Sequence, residues 1–220
     1  MGIFNKIFGN REEIEYKTIL AQVSNPLMDK IDAIDEREVR DFFKTILDAA
    51  ERSLRSILFM APEEFNFKKQ MTKEDIDFWL SKVSLAFMSY SYYFYGDVPE
   101  IEKNQNFTNL VDVSYRAYWQ RMFDYYNQIF NENIGQREID CYASGLKEDT
   151  EKGYSKSGNM EKVSELTTRD YRTISSELLR KIWKEDIDSN ERKGLFLGAR
   201  IWQAYQQIVQ PFLTKLLREY

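Results

Sequence analysis

Residues 35–61, DEREVRDFFKTILDAAERSLRSILFMA, decide the fold class. Val39, Phe42, Phe43, Ile46, Leu47, Ala50, Leu54, Ile57 and Leu58 recur at intervals of three and four, while Arg37, Arg40, Lys44, Asp48, Glu51 and Arg55 occupy the opposite side. That is the period of a helix burying one broad face; a strand would alternate with period two. Pro62 closes the segment, because proline has no N–H for the helical ladder and drives the residue before it out of the helical region.

The same signals recur on either side. Thr72-Lys-Glu-Asp75 sets a hydroxyl three residues ahead of a carboxylate, the start of a helix that carries Ile76, Trp79, Leu80, Val83, Phe87, Tyr90 and Phe94 and ends at Gly96-Asp97-Val98-Pro99. Thr108 reads as the cap of the next helix, running to about Asn133. Leu110, Val113, Tyr118, Trp119, Met122, Phe123, Tyr126 and Phe130 surround that helix on most sides, which predicts a place at the centre of the bundle. Residues 134–165 are polar and glycine-punctuated; they predict a weak helix over 137–146 and a mobile loop near 148–159. Thr167 or Thr168 opens a helix through Ile174, Leu178, Ile182 and Trp183, and a last helix runs from about Asn190 to Leu217, bent near Pro211. Towards the N-terminus, Glu12 to Val23 forms a first helix with Ile14, Thr18 and Ala21, beside Ile19 and Leu20, available to face inward; Ser24-Asn25-Pro26 ends it. The expectation is an all-α, single-domain bundle of six or seven helices over residues 11–220, preceded by an amphipathic tail over residues 1–10.

Composition narrows the chemistry. With 14 Tyr, 15 Phe and 4 Trp, the core is aromatic-rich, and its phenol and indole groups need polar partners or a route to water. There is no histidine, which excludes Ser-His-Asp and Cys-His hydrolysis, HExxH zinc proteolysis and Glu-x-x-His di-iron sites. The single cysteine, Cys141, rules out thiolate zinc sites and an intrachain disulfide, and with Asp140 beside it and no histidine to activate it, it is no nucleophile. The net charge of −5 disfavours nucleic acid, although residues 166–220 carry a small basic excess. The sequence shows neither an 18-residue apolar run nor a secretory leader, and with one free thiol a cytoplasmic location is expected.

Four groups of residues are candidates for function. Ile3, Phe4, Ile7 and Phe8 fall at helical spacing before Gly9-Asn10. Over these nine residues the tail resembles the amphipathic hooks by which some peripheral proteins, the phage-shock membrane-binding family among them, touch lipid; nothing downstream resembles that family's coiled coil. Lys6 stands where a myristoylation signal needs Ser or Thr. Tyr90, Tyr93 and Phe94, facing Tyr118 and Trp119, would line an aromatic pocket between helices. Gly194 and Gly198, one turn apart, would let another backbone approach the last helix. Carboxylates at helical spacing (Glu12/Glu15, Asp29/Asp32/Asp35, Glu148/Glu151) could hold Mg²⁺, but the second acidic pair used by all-α nucleotide pyrophosphatases is missing. Asp186-Ile-Asp188-Ser-Asn190 starts like a calcium loop, yet Glu191 replaces the required glycine and Leu197 the closing glutamate; it reads as a turn between helices, with Ser189 or Asn190 capping the next.

These features point to a non-catalytic cytoplasmic interaction or regulatory protein, partnered by another protein and docking at a membrane surface through its tail. The alternatives are a sensor-type module with a hydrophobic ligand in the aromatic pocket, and a Mg²⁺-dependent phosphohydrolase using helix carboxylates. The first two imply no cofactor.

Overall fold

The computed structural model describes the backbone of residues 3–67, 69–96, 105–135 and 174–218, with side chains over 13–67, 69–92, 117–135 and 174–216. Helix α1 spans Ile3–Asp32, α2 Arg37–Met60, α3 Lys73–Gly96 and α4 Gln105–Phe130, with a 3₁₀ turn at Glu63–Phe65 between α2 and α3. Residues 174–178 form α5, which tightens into a π turn at Leu179–Trp183. Then come α6 at Glu191–Ala204, a second π turn at Tyr205–Val209, and α7 at Gln210–Arg218. The fold is all-α, and no strand occurs among the described residues.

Helix α2 is the hub. All nine residues of its predicted stripe are buried, joined by Ala49 and Ser53. It packs against α1, α3, α6, the second π turn and α7. Its outer side carries the (i, i+4) pairs Arg37–Asp41 at 3.6 Å and Arg52–Asp48 at 2.9 Å, which are exposed and contribute little.

The start of α3 is the reciprocal cap read from the sequence. Asp75 N–H donates to Thr72 Oγ1 and Thr72 N–H to Asp75 Oδ2, both at 3.1 Å. From Trp79 to Ser91 every residue except Lys82 is buried, so α3, not α4, runs through the centre. Four serines make this possible. Ser81, Ser84, Ser89 and Ser91 are small enough to be enclosed, and Ser91 gives its proton to the Phe87 carbonyl one turn back at 2.7 Å. Helix α4 turns Gln120, Arg121, Asp124 and Gln128 to solvent, and Thr108 lies inside it rather than at its cap. Its C-terminal end is held by α1: Lys30 Nζ donates to the carbonyls of Gln128 (3.1 Å) and Ile129 (2.8 Å) and to Asn131 Oδ1 (2.9 Å).

The N-terminal boundaries differ from the sequence reading. Neither Gly9-Asn10 nor Pro26 breaks α1, which is continuous from Ile3 to Asp32. A proline inside a helix costs about 3 kcal/mol. Beyond it, however, Leu27 and Ile31 are buried, each worth about 1.5–3 kcal/mol, and Pro26 itself sits on the exposed side. Tertiary burial wins. With the helix extended, the inward stripe is Tyr16, Leu20, Val23, Leu27 and Ile31, whereas Ile14, Thr18 and Ala21 face outward, the reverse of the expectation.

At the other end, Pro211 does not simply bend one long helix. Its missing N–H and its ring would disrupt an ordinary turn, and the chain answers with the π turn, in which Gln210 N–H reaches back five residues to the Tyr205 carbonyl. The loop expected near 148–159 and the helix expected over 137–146 lie outside the described residues, as do Thr167 and Thr168.

Candidate interaction surface

The candidate surface begins with the geometry of α1. Its inner half is tied to α2: Glu13 bonds Lys17 at 3.1 Å and Arg55 at 2.8 Å, and these two cations hold its carboxyl below the usual carboxylate range. Gln70 donates to Glu15 at 2.6 Å, and the Tyr16 ring meets Phe59 edge-on at 5.3 Å. Phe59 is one residue from the end of α2, so α2 stops near the level of Tyr16 while α1 continues. At 1.5 Å per residue, Ile3 lies about 20 Å further along the helix axis. The backbone of Ile3, Phe4, Ile7 and Phe8 is thus part of α1; their side chains lie outside the described residues.

The face of α1 turned away from the bundle carries a shallow groove of about 540 Å³, lined by Ile14, Lys17, Thr18, Ala21, Gln22 and Asn25. Ile14 is 58% exposed there. Two more large apolar residues, Phe59 at 40% and Met60 at 69%, are exposed at the end of α2.

The aromatic candidates are placed as follows. Tyr90 is buried and meets Trp202 and Tyr205 edge-on at 5.9 and 5.7 Å, while those two rings stack at 5.2 Å. Trp119 is buried against Phe42, Tyr92 and Phe123, with the half-buried Tyr118 at 5.8 Å. The side chains of Tyr93 and Phe94 lie outside the described residues. Gly194 and Gly198 are both buried. The close neighbour of Gly194 is the side chain of Ile187, not another helix backbone: a Cβ built there would lie 2.9 Å from both Ile187 Cγ1 and Cδ1.

Among the described residues, no group of three or more carboxylate or thiol side chains could hold a metal ion. Asp32 pairs with Lys44 at 2.5 Å, and residues 187–189 form the expected turn, with Asp188 N–H on Asp186 Oδ1 at 3.3 Å. Asn190 takes the N-cap position of α6, but its side chain turns back to the Asp186 carbonyl. Cys141, Glu148 and Glu151 lie outside the described residues.

No family model, curated protein or solved structure matches this chain. Its surfaces are legible only through their own chemistry, and two polar sites carry no signal in the sequence. Lys193 is 6% exposed, with Nζ 2.7 Å from Glu185 Oε1, 3.4 Å from the Asn66 carbonyl and 4.8 Å above the Phe67 ring. It is one of the residues lining a polar cleft of about 620 Å³ between residues 64–66 and 185–193. Through the Asn66 carbonyl and the Phe67 ring it ties the end of the 3₁₀ turn to α6. The second site joins α3 to the end of α4: Ser81 Oγ lies 2.9 Å from the Tyr126 hydroxyl and donates to Glu132 Oε1 at 2.9 Å, and Tyr126 donates to the Ser81 carbonyl. Burial pushes the Tyr126 phenol far above its ordinary value, which keeps it a neutral donor.

Proposed function

We propose that this is a non-catalytic, cytoplasmic interaction protein whose first helix is the docking element, meeting a partner protein or a membrane surface at its N-terminal end. The observation that carries this reading is the outward face of α1, where Ile14 stands 58% exposed in line with Thr18 and Ala21, on a helix that continues to Ile3. A single exposed apolar residue is ordinary on a protein surface, and Ile14 counts only together with the apolar tail that continues its helix. It lies opposite the inner stripe, and the tail sequence adds Ile3, Phe4, Ile7 and Phe8 beyond the end of α2. The absence of histidine removes the commonest general base at neutral pH and supports a binding role over catalysis. No helix among the described residues is long and apolar enough to cross a membrane, so contact with lipid would be peripheral.

The test compares the full chain with a variant lacking residues 1–9. The truncated protein is expected to keep its melting temperature within a few degrees and to lose co-sedimentation with phosphatidylcholine vesicles, with or without phosphatidylserine. Failure of the full chain to sediment with either vesicle would remove the membrane arm and leave a protein partner. A large fall in melting temperature on truncation would show the tail to be core and overturn the reading.

A further inference from the structure

Helix register links the tip of α1 to the outward face of its docked part. From residue 13 onwards, Tyr16, Leu20, Val23, Leu27 and Ile31 face the bundle, while Ile14, Thr18, Ala21, Gln22 and Asn25 are exposed. Because α1 is one continuous helix from Ile3, each line can be followed back in steps of three and four. The inward line passes through Glu12, Gly9 and Asn5, none of which has a large apolar side chain. The outward line passes from Thr18 and Ile14 through Arg11 and Ile7 to Phe4 and Ile3, with position 8 on its flank. The apolar side of α1 therefore changes over between Ile14 and Tyr16, from the outward face in the tip to the inward face in the bundle.

This changeover excludes one fate for the tip. While α1 stays continuous, positions 3, 4, 7 and 8 lie on the side opposite the bundle, so the domain they belong to does not cover them. The face also changes along its length. Large apolar residues stop at Ile14, and the outward positions that follow are Thr18, Ala21, Gln22, Asn25, Pro26 and Asp29. The apolar part, residues 3–14, covers about 17 Å of helix. A second helix lying along α1, from another copy or another protein, would leave that part for a polar and then an acidic one. A surface entered tip first and at a slant meets only the apolar part.

Charge selects the kind of surface. Before Ala21 the cations of α1 are Lys6, Arg11 and Lys17, and the carboxylates are Glu12, Glu13 and Glu15. They sort by side. Arg11 stands on the outward line, Lys17 is exposed and lines the outward groove, and position 6 falls on the same flank three turns earlier. Glu12 stands on the inward line, and Glu13 lies between two cations, Lys17 at 3.1 Å and Arg55 at 2.8 Å. Glu15, at the other edge of the face, accepts a hydrogen bond from Gln70 at 2.6 Å. We propose that the outward face of α1 docks on a bilayer that carries anionic phospholipid. The tip enters the interface, Lys6, Arg11 and Lys17 lie at the level of the phosphates, and the slant of the helix lifts Asp29 away. This names the partner for the docking role proposed above and rests on that role.

Co-sedimentation of the full chain with sucrose-loaded vesicles tests the charge and the register separately. Binding to equimolar phosphatidylcholine and phosphatidylserine is expected to exceed binding to phosphatidylcholine alone and to fall as salt is raised. Arg11→Gln combined with Lys17→Gln is expected to lower affinity for the mixed vesicles about tenfold or more. Two alanines inserted after Arg11 keep the composition of the tip but turn it by about 200° against the rest of α1, and are expected to weaken binding several-fold. Ile14→Glu is expected to do the same. All these changes lie in the tip or on the exposed side of α1, so melting temperatures should stay native, and the lipid and salt series on the native chain needs no variant. Equal binding to both vesicles at every salt concentration would overturn the proposal, as would native-level binding by the double variant or by the insertion. In those cases loss of sedimentation on deleting residues 1–9 would still uphold the docking role. No sedimentation of the full chain with either vesicle would also overturn it and leave that role to a protein partner. A dimer in sedimentation velocity that Ile14→Glu dissociates would show that a second copy covers the face instead.

Discussion

Gly194→Ala sets two terms of known sign against each other. On a solvent-exposed helix the change gains about 1 kcal/mol, because alanine restricts the unfolded chain and suits the helix. In α6 the new methyl would lie 2.9 Å from both Cγ1 and Cδ1 of Ile187, closer than a Cβ tolerates, with Leu179 Cδ1 at 3.6 Å behind. Ile187 is 8% exposed in the turn before the helix, so it has little room to rotate away. Overpacking of this kind costs about 1–3 kcal/mol, and the net expectation is a loss of up to about 2 kcal/mol in urea titration. The cause can be isolated with a second variant. In an Ile187→Ala background the clashing atoms are gone, and Gly194→Ala should become stabilising by about 1 kcal/mol, a coupling of about 1–3 kcal/mol between the two sites. A gain in stability from Gly194→Ala alone, or strict additivity of the pair, would refute the reasoning.

Pro26→Ala should raise stability by about 1–3 kcal/mol in thermal or urea unfolding, since it restores a helical N–H on an exposed position; a loss would mean that the helix does not run through residue 26. Lys193→Met keeps the length of the side chain but strands Glu185, whose Oε2 already lacks a partner, and should cost about 1–3 kcal/mol. The Glu185 side chain is 30% exposed and can rehydrate, which holds the loss below that of a fully enclosed pair; an unchanged urea midpoint would show that the pair does not pin the turn. Thr72→Ala should cost about 1 kcal/mol by opening the cap of α3. Burial raises the Asp75 carboxyl, but Lys69 and Thr72 outweigh it and hold the group below its ordinary value, so the cap's contribution is present at neutral pH and fades in strong acid. Equal loss at pH about 7 and about 2.5 would separate the cap from that carboxylate.

The parts of the fold legible in the sequence are those whose cause is local. The stripe of α2 and the exchange between Thr72 and Asp75 each lie within a few turns of chain, and both stand where spacing put them. Pro26 misleads because its penalty is local while the compensation is distant: Leu27 and Ile31 lie in a core built by α2, α3 and α4. A helix that ends at residue 23 lacks Leu27 and Ile31, the last two members of the inward stripe, and without them the spacing of Ile14, Thr18 and Ala21 reads as the inner face. Periodicity points to α4 as the central helix because it counts serine as polar, although the four serines of α3 are small enough to be enclosed and Ser91 satisfies its hydroxyl on the Phe87 carbonyl. Lys193 gives no sign at all. Its burial depends on Phe67 and Asn66 arriving from far away in the chain.

The continuity of α1 changes the thermodynamics of its tip. A free nine-residue peptide must nucleate a helix before an apolar side can form, and that unfavourable step consumes much of what contact with a partner returns. Here the nucleus is supplied by the docked stretch from Tyr16 to Ile31, whose buried residues keep the turns wound. Residues 3–12 then need only propagation, one hydrogen bond gained for each residue fixed. The bundle thus acts as a template that pre-organises the backbone of its own N-terminus, and the docking proposed above would start from a helix already wound.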